Sequence, residues 1–364
     1  MLKAIARAGR PGRELAVRLD LLRAAGVRHS IQRLRDDVRR RGSGDAGLAV
    51  YSEIWREASE AVGAELEDLT GGFLRMRRGA AATTVWKHIV MLDDAVTLRL
   101  ALSKPIVDRM LTDAGIPVPD QLEFGIDEPG GLEFMLSSGR PCVVKPAGGS
   151  SGSGATTGVS TRAEFHKAAV RATRVDDRVL VQTQAEGDLY RVLLLDGRPL
   201  DVLRRLPPRV TGDGESTIAE LIDAENERRL GSAGTAGPSL LLIDLECVLT
   251  LGRSGLTLGS VLPAGRTEAV KGVTNQNRVE DNTTVREGVS EELLADAAAA
   301  AQAIGVRLAG VDLITPDPGR SLRDAGGVVI EVNGTPGLHY HYQVADPANA
   351  ERVAIPLLER LLES

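Results

Sequence analysis

The sequence predicts an α+β fold, and three stretches carry that reading. Val328 to Val332 is an apolar, β-branched run behind Gly326-Gly327, which reads as a buried strand, and Gly334, Pro336 and Gly337 turn the chain immediately after it. Cys142-Val143-Val144 is a second apolar strand, ending at Lys145-Pro146 and running into a glycine- and serine-rich loop from Gly148 to Gly154. Leu189 to Leu195 and Pro199 to Leu203, separated by Asp196-Gly197, form a hairpin, whereas Glu291 to Ile304 is helical behind a Ser290 cap.

The 364 residues suffice for two or three domains. With 43% apolar and 26% charged residues the composition is that of a globular protein. The formal net charge of −6 gives no general bias toward nucleic acid. Cys142 and Cys247 are the only cysteines and lie far apart, so neither a disulfide framework nor a zinc cluster is expected. No apolar run reaches membrane-spanning length and the N-terminus lacks a secretory apolar core, so the expectation is a cytoplasmic protein with no membrane partner. Lysine is rare, six residues against 38 arginines, which makes each lysine a candidate for function.

Residues 1–45 read as a basic helical segment. Up to position 43, Lys3 and eleven arginines stand against four acidic residues, a local net charge of +8. Leu15, Leu19 and Leu22, then Ile31, Leu34 and Val38, recur at helical spacing. The arginines have no interleaved aromatics, so a solvated helical face or a subunit contact fits better than a nucleic-acid surface. A homo-oligomer is therefore expected, in its simplest form a dimer. Residues 46–95 read as a small α/β domain: a helix from Leu48 to Gly63, then short strands around Phe73 to Met76 and Thr83 to Trp86. Residues 96–364 form the main domain. Asp93-Asp94 opens a helix through Leu98, Leu102 and Ile106 that Pro105 interrupts, and Ile116-Pro117-Val118-Pro119 is an extended exit. Arg178 to Gln184 is a strand. Thr217 and Glu220 make a capping box for a helix carrying Leu221 and Ile222, and Gly231 to Pro238 is a loop. Ala309 to Ile314 is a strand that sets Asp312 near Glu331 if it pairs with the strand from Val328 to Val332.

Several residue types point to chemistry. Glu331 and Asn333, two apart on a strand, project from one face, and with Asp312 they offer oxygen donors suited to a hard cation such as magnesium. An ordinary strand end with polar caps is the alternative. The loop behind Lys145 suits phosphate, because glycines let backbone N–H groups approach an anion, serines add hydroxyl donors and the lysine adds charge. It is neither a Walker A loop nor a dinucleotide fingerprint, and a flexible linker is its alternative. Leu338-His339-Tyr340-His341-Tyr342 follows the Glu331 strand. If extended, it places His339 and His341 on one face, where they could orient a carboxylate or take a proton. Arg191 with Arg204 or Arg205 of the hairpin could clamp a carboxylate. No Ser-His-Asp or Cys-His arrangement is apparent.

Taken in order, Lys104, Val143-Val144-Lys145-Pro146, the glycine–serine loop, Glu186-Gly187, Asp312 and Glu331-Val332-Asn333 resemble the ATP-grasp carboxylate–amine ligases. The likeness is strongest to the ATP-grasp part of the cyanophycin synthetases. Glu186-Gly187-Asp188-Leu189-Tyr190-Arg191 is similar to that group's Glu-Gly-x-x-Tyr-Arg. The run from Val210 to Gly214, with Thr217-Ile218 and Glu220-Leu221-Ile222, is similar to its Val-x-Gly-Asp-Gly-x-x-Thr-Ile-x-Glu-Leu-Ile. The resemblance covers roughly residues 95–364, with a weaker echo from Tyr51 to Asp94. It implies two α/β subdomains holding ATP between them, the nucleotide-binding one at about residues 140–190. It implies that Lys104 and Lys145 contact ATP, and that Gly148, Gly149, Ser150, Ser151 and Gly152 close over the β- and γ-phosphates. Gln182 and Thr183 would lie at the adenine hinge, Glu186 at the ribose, and Asp312, Glu331 and Asn333 on two magnesium ions, which manganese can replace. His341 matches the family's histidine after Pro-Gly.

The sequence also departs from that group. An arginine expected two residues before Asn275 is missing from Val273-Thr274-Asn275-Gln276-Asn277, and Asp281-Asn282 stands where the group has two glycines. Lys271 or Arg278 would then take the missing arginine's place. The implied activity is ATP-dependent amide formation between a small carboxylate, an amino acid, and an amine, with ADP and phosphate released. The ligase half that follows in cyanophycin synthetases has no counterpart before Ser364, so a single condensation is expected rather than polymer synthesis. A peptide-modifying ligase or macrocyclase is the alternative in the same class. A nucleotide-binding regulatory or scaffold protein is the alternative of another class.

Overall fold

The computed structural model describes residues 46–148, 152–231, 240–285 and 287–363, with a few positions between 15 and 31. Most of the basic N-terminal segment, the loop residues Gly149, Ser150 and Ser151, and most of the loop from Gly231 to Pro238 thus lie outside the described residues. Leu15, Leu19, Leu22, Val27 and Ile31 are helical and exposed.

Helix α1 (Ala46–Val62) is amphipathic, burying Tyr51, Ile54, Trp55 and Ala58 on one face. An antiparallel sheet follows, β1 (Glu65–Asp68), β2 (Phe73–Arg78) and β3 (Ala81–Trp86). β1 is the strand the sequence did not announce. It reads Glu-Leu-Glu-Asp and owes its conformation to pairing with β2. The helix expected from Asp93 through Ile106 is two helices. α2 (Ala95–Ala101) is capped by Asp94, whose carboxylate accepts the Val96 and Thr97 N–H groups, and α3 (Lys104–Asp113) starts after Ser103. Pro105 sits in the first turn of α3, where a missing N–H leaves no helical bond unmade, so it starts a helix rather than breaking one.

Next come β4 (Gln121–Gly125), α4 (Gly131–Ser138), β5 (Cys142–Pro146), β6 (Thr156–Val159), α5 (Arg162–Ala172) and β7 (Arg178–Thr183). The four strands make an antiparallel sheet in the order β4-β7-β5-β6. Phe124, Cys142, Val144, Val159, Val179 and Val181 fill one face with Met135 of α4 and Phe165, Ala168, Ala169 and Ala172 of α5. By alternation the opposite face carries Gln121, Val143, Lys145, Leu180 and Gln182.

The hairpin β8 (Asp188–Leu195) and β9 (Arg198–Arg205) turns at Asp196-Gly197, both in the left-handed region as a two-residue hairpin requires. The chain continues through β10 (Arg209–Thr211), α6 (Ile218–Gly231), α7 (Leu245–Arg253), β11 (Thr267–Ala269) and β12 (Asn282–Thr284). It ends with α8 (Glu291–Ile304), β13 (Leu308–Thr315), α9 (Leu322–Ala325), β14 (Val328–Asn333), α10 (His339–Tyr342) and α11 (Ala354–Leu362). Thr217 and Glu220 form the expected reciprocal cap ahead of α6, and Ser290 caps α8.

The five-stranded antiparallel sheet β12-β9-β8-β13-β14 is the centre of the molecule. One face holds Tyr190, Val192, Leu194, Val202, Val311, Leu313, Val329 and Val332 against Leu293, Ala297, Ala300, Ala301 and Ile304 of α8 and Val107 and Leu111 of α3. Each fully buried aliphatic contributes about 1.5–3 kcal/mol. The alanines of α8 let that helix lie close on the sheet. The other face is divided. Leu193, Leu195 and Leu308 at one end are covered by α1 and α11, and the other end is polar.

Candidate active site

The polar end is set by strand register. Asp312 on β13 pairs directly with Glu331 on β14 and with Arg191 on β8, Gly310 pairs with Asn333, and Leu189 pairs with Arg205 of β9. Directly paired residues share a face, so Asp312, Glu331, Asn333, Arg191 and Arg205 come together. A bulge contributes. Asp312 pairs with Glu331 but Leu313 pairs with Val329, leaving Ile330 as an extra residue on β14. This lets Val329 and Val332 both enter the core while Glu331 and Asn333 face away from it. Gly310 has no room for a side chain, since a Cβ there would lie 2.8 Å from Pro336 in the turn behind β14.

Both Asp312 oxygens are held by Arg191, Oδ1 by Nε at 2.7 Å and Oδ2 by Nη2 at 2.6 Å, with both side chains buried. The Tyr340 ring lies against two guanidiniums, Arg191 at 5.6 Å and Arg205 at 4.6 Å from its centroid. Arg205 is buried. Burial and then Arg191 pull its pKa down, and its Nε donates to Asn282 at 3.3 Å. Arg204, the alternative from the same hairpin, points elsewhere and pairs with Asp188 at 2.5 Å on the surface. The structure therefore selects Arg205 as the second arginine beside Arg191.

Lys104, the first residue of α3, brings its Nζ within 3.3 Å of Glu331 Oε1. Lys145 faces the same place from β5. Burial pushes its pKa down to about 8, with Lys104 acting in the same sense and Asp108 and Glu331 opposing. The two sheets thus meet across a cleft, with Lys145 on one side and Lys104, the carboxylates and the arginines on the other. Asp108, buried on the same face of α3 as Lys104, has its pKa raised by burial, while Lys145, a hydrogen bond from Gln121 and Lys104 counter that. A hollow of about 630 Å³, lined by Asp108, Pro117, Pro119, Gln121 and Arg323 among others, borders this carboxylate.

The donor set suits a hard cation. A carboxylate has more lone-pair positions than Arg191 uses on Asp312, and the Asn333 amide donates through Nδ2 to Gly310 O at 3.2 Å and Glu331 Oε2 at 3.4 Å, which leaves its oxygen as a ligand. Among the described residues no group of three or more His, Cys, Asp or Glu side chains forms a metal cluster. The fit therefore depends on the amide oxygen joining two carboxylates.

Other sequence candidates are placed differently from expectation. The stretch His339 to Tyr342 is helical, not extended, so the two histidines do not line an open pocket. His341 is fully buried, its Nδ1 2.6 Å from Asp201 Oδ2 and its Nε2 without a hydrogen-bond partner among the described residues. Burial lowers its pKa and Asp201 opposes. His339 Nδ1 is 2.7 Å from the Tyr51 hydroxyl, and burial, followed by the charges of His88 and Arg205, pushes its pKa down to about 3. Tyr340, which no sequence signal singles out, is the member of this helix that meets the arginines.

Lys271 is also fully buried. Its amine donates to Asp244 at 3.0 Å and to Gln276 at 2.8 Å, and Asp244 also accepts from Arg171 at 2.8 Å. Glu246, beside it, accepts from Thr157 N–H, the Thr157 hydroxyl and Gly272 N–H at 2.9, 2.6 and 3.1 Å. These buried acids fasten β6, where the glycine loop returns, to the segment around Lys271. Arg278 is committed to Asp281. Asn275 does approach the loop, since a Cβ on Gly152 would lie 3.3 Å from its amide. Gly148 donates its N–H to Asp176 at 2.8 Å. Gln182 is buried on the inner face of β7, Thr183 is the last residue of that strand, and Glu186 lies exposed beyond it. Asp108, Gln121, Asp244, Glu246 and Asp201 escaped the sequence reading. Of these only Asp108 left a signal, four residues after Lys104 and so on the same helical face.

No protein-family model matches the chain. It is 31% identical over 322 residues to the cyanophycin synthetase of Trichormus variabilis, covering 87% of this chain and 35% of that protein. It is 29% identical over 360 residues to the glutathione biosynthesis bifunctional protein of Mannheimia succiniciproducens, covering 93% of this chain and 47% of that one. The crystal structure of a bifunctional glutathione synthetase from Pasteurella multocida superposes with a TM-score of 0.56 at 25% identity, over 86% of this chain and 44% of the other. The chain spans between about a third and a half of the length of these relatives. No described helix is long and apolar enough to cross a membrane.

Proposed function

We propose that the chain is an ATP-grasp ligase, as its likeness to these relatives supports, and that it joins a small carboxylate, an amino acid, to an amine with release of ADP and phosphate. The observation that carries this reading is the convergence of Lys104 and Lys145 with Asp312, Glu331, Asn333, Arg191 and Arg205 across one cleft.

Lys104 and Lys145 would hold the phosphates, and the inner face of β7 would take the base. Asp312, Glu331 and Asn333 would hold magnesium, which when bound supplies neutralisation of phosphate charge. Arg205, buried with no carboxylate bonded to it among the described residues, would hold the substrate carboxylate beside Arg191. A carboxylate oxygen attacks the γ-phosphorus, the bond to the bridging oxygen breaks, and ADP leaves an acyl phosphate. The amine attacks the acyl carbon, the C–O bond to phosphate breaks, and the amine's proton passes to solvent. This chemistry asks the protein for alignment and positive charge rather than a nucleophile. Lys271 and His341 would support it from beneath, Lys271 by fastening the β6 segment and His341 by anchoring α10 and so Tyr340.

The test is an ADP-release screen of amino acids and amines with ATP and magnesium, with mass spectrometry of the products. The expected result is ADP in proportion to a new amide of mass acid plus amine minus water. Intact ATP binding with no pair raising ADP release would overturn the reading in favour of a nucleotide-binding scaffold.

A further inference from the structure

A chain of three side chains crosses from the central unit into the four-stranded sheet. Gln121 Nε2 donates to Asp108 Oδ2 at 2.7 Å, and Gln182 Nε2 donates to Gln121 Oε1. Asp108 lies on α3, Gln121 on β4 and Gln182 on β7, where Gln121 and Gln182 are direct strand partners. Asp108 and Gln182 are both buried.

The direction of this relay follows from chemistry. A carboxylate only accepts, so Gln121 presents its NH₂ to Asp108 and its oxygen to Gln182. Gln182 must then turn its own NH₂ to Gln121, which leaves the Gln182 carbonyl oxygen as the end that can meet a ligand. Gln182 pairs with Val143, two residues and so about 7 Å further from the glycine loop than Lys145, on the face that carries Lys145. A nucleotide with its phosphates at the loop and Lys145 would bring its base there.

We propose that Asp108 and Gln121 are positioning residues that fix Gln182 as a hydrogen-bond acceptor at the base end of the cleft, selecting a 6-amino purine over a 6-oxo purine. The inference rests on the nucleotide reading above. An acceptor pairs with an exocyclic amine and repels a carbonyl oxygen, so a fixed amide discriminates where one free to flip does not.

The test is calorimetric binding of ADP and of GDP to the full chain and to Gln121→Leu, Gln121→Lys and Asp108→Asn, each first checked for an unchanged melting temperature. The wild type should prefer ADP. Gln121→Leu frees the Gln182 amide and should weaken ADP about tenfold while moving GDP less than about twofold. Gln121→Lys, which can only donate, should turn the Gln182 oxygen inward and its NH₂ to the cleft, lowering the ADP-to-GDP ratio below that of the leucine variant. Asp108→Asn, able to present either end, should give an intermediate ratio. Equal ratios in all four proteins, or parallel loss of both nucleotides, would overturn the inference, as would a wild type that binds ADP and GDP equally. A wild type that binds neither would instead overturn the nucleotide reading and take the inference with it.

Discussion

Replacing Asp312 by alanine removes the partner of a buried charge as well as a candidate metal ligand. Arg191 gives Asp312 two hydrogen bonds, at 2.7 and 2.6 Å, with both side chains buried. Two unit charges about 4 Å apart attract by about 4 kcal/mol at an effective dielectric of about 20. Breaking a buried pair from one side costs about 3–5 kcal/mol, because the remaining charge keeps its desolvation without its partner. Here the loss is aggravated by Arg205, a second buried guanidinium against the same Tyr340 ring, which Arg191 repels. Asp312→Ala should therefore destabilise the metal-free protein by about 3–5 kcal/mol, and Asp312→Ala with Arg191→Met should recover most of that. The assay is urea unfolding followed by circular dichroism, without nucleotide or metal. A single variant as stable as wild type, or a double variant no better than the single, would refute the reasoning.

Three further outcomes follow. Lys145, with its pKa near 8, is cationic below that pH and neutral above it, so metal-free ADP binding measured by calorimetry should weaken as pH rises through about 8, and Lys145→Ala should be weak and flat across that range. His339 has a folded pKa near 3, below its unfolded value; the unfolded chain binds the extra proton between those values, so stability is present above about pH 6.5 and is lost as pH falls below it, by up to about 1.4 kcal/mol per unit, and His339→Gln should flatten that slope in urea titrations by one proton's worth. Gly187 has φ of 110° and a Cβ there would lie 2.2 Å from the Thr315 backbone, so Gly187→Ala should cost more than about 3 kcal/mol, whereas Gly197→Ala, at positive φ in open space, should cost about 1 kcal/mol, both measured by urea unfolding.

What could be read beforehand was whatever the chain writes locally. The strand from Val328 to Asn333, the helix from Glu291 to Ile304 with its Ser290 cap and the hairpin at Asp196-Gly197 all carry periodicity or turn chemistry of their own. Asp312 beside Glu331 needed one long-range assumption, that β13 pairs with β14, and that pairing is present. What escaped depends on tertiary partners. β1 is a strand because β2 is next to it. The stretch His339 to Tyr342 alternates in residue type yet forms a helical turn, because His341 is drawn to Asp201 and His339 to Tyr51, distant in sequence. Lys271 is a candidate because an arginine is missing before Asn275, and nothing near it in sequence announces Asp244 as its partner. The choice between Arg204 and Arg205 turned on strand alternation against Asp188 and Tyr340.

The central claim is that a substrate carboxylate attacks ATP and passes through an acyl phosphate in this cleft. It is tested most directly by giving the enzyme a carboxylate labelled with ¹⁸O, together with ATP and an amine, and weighing the phosphate released. The account predicts ADP together with phosphate that carries one ¹⁸O from the carboxylate. AMP and pyrophosphate, or amide formed with unlabelled phosphate, would contradict it.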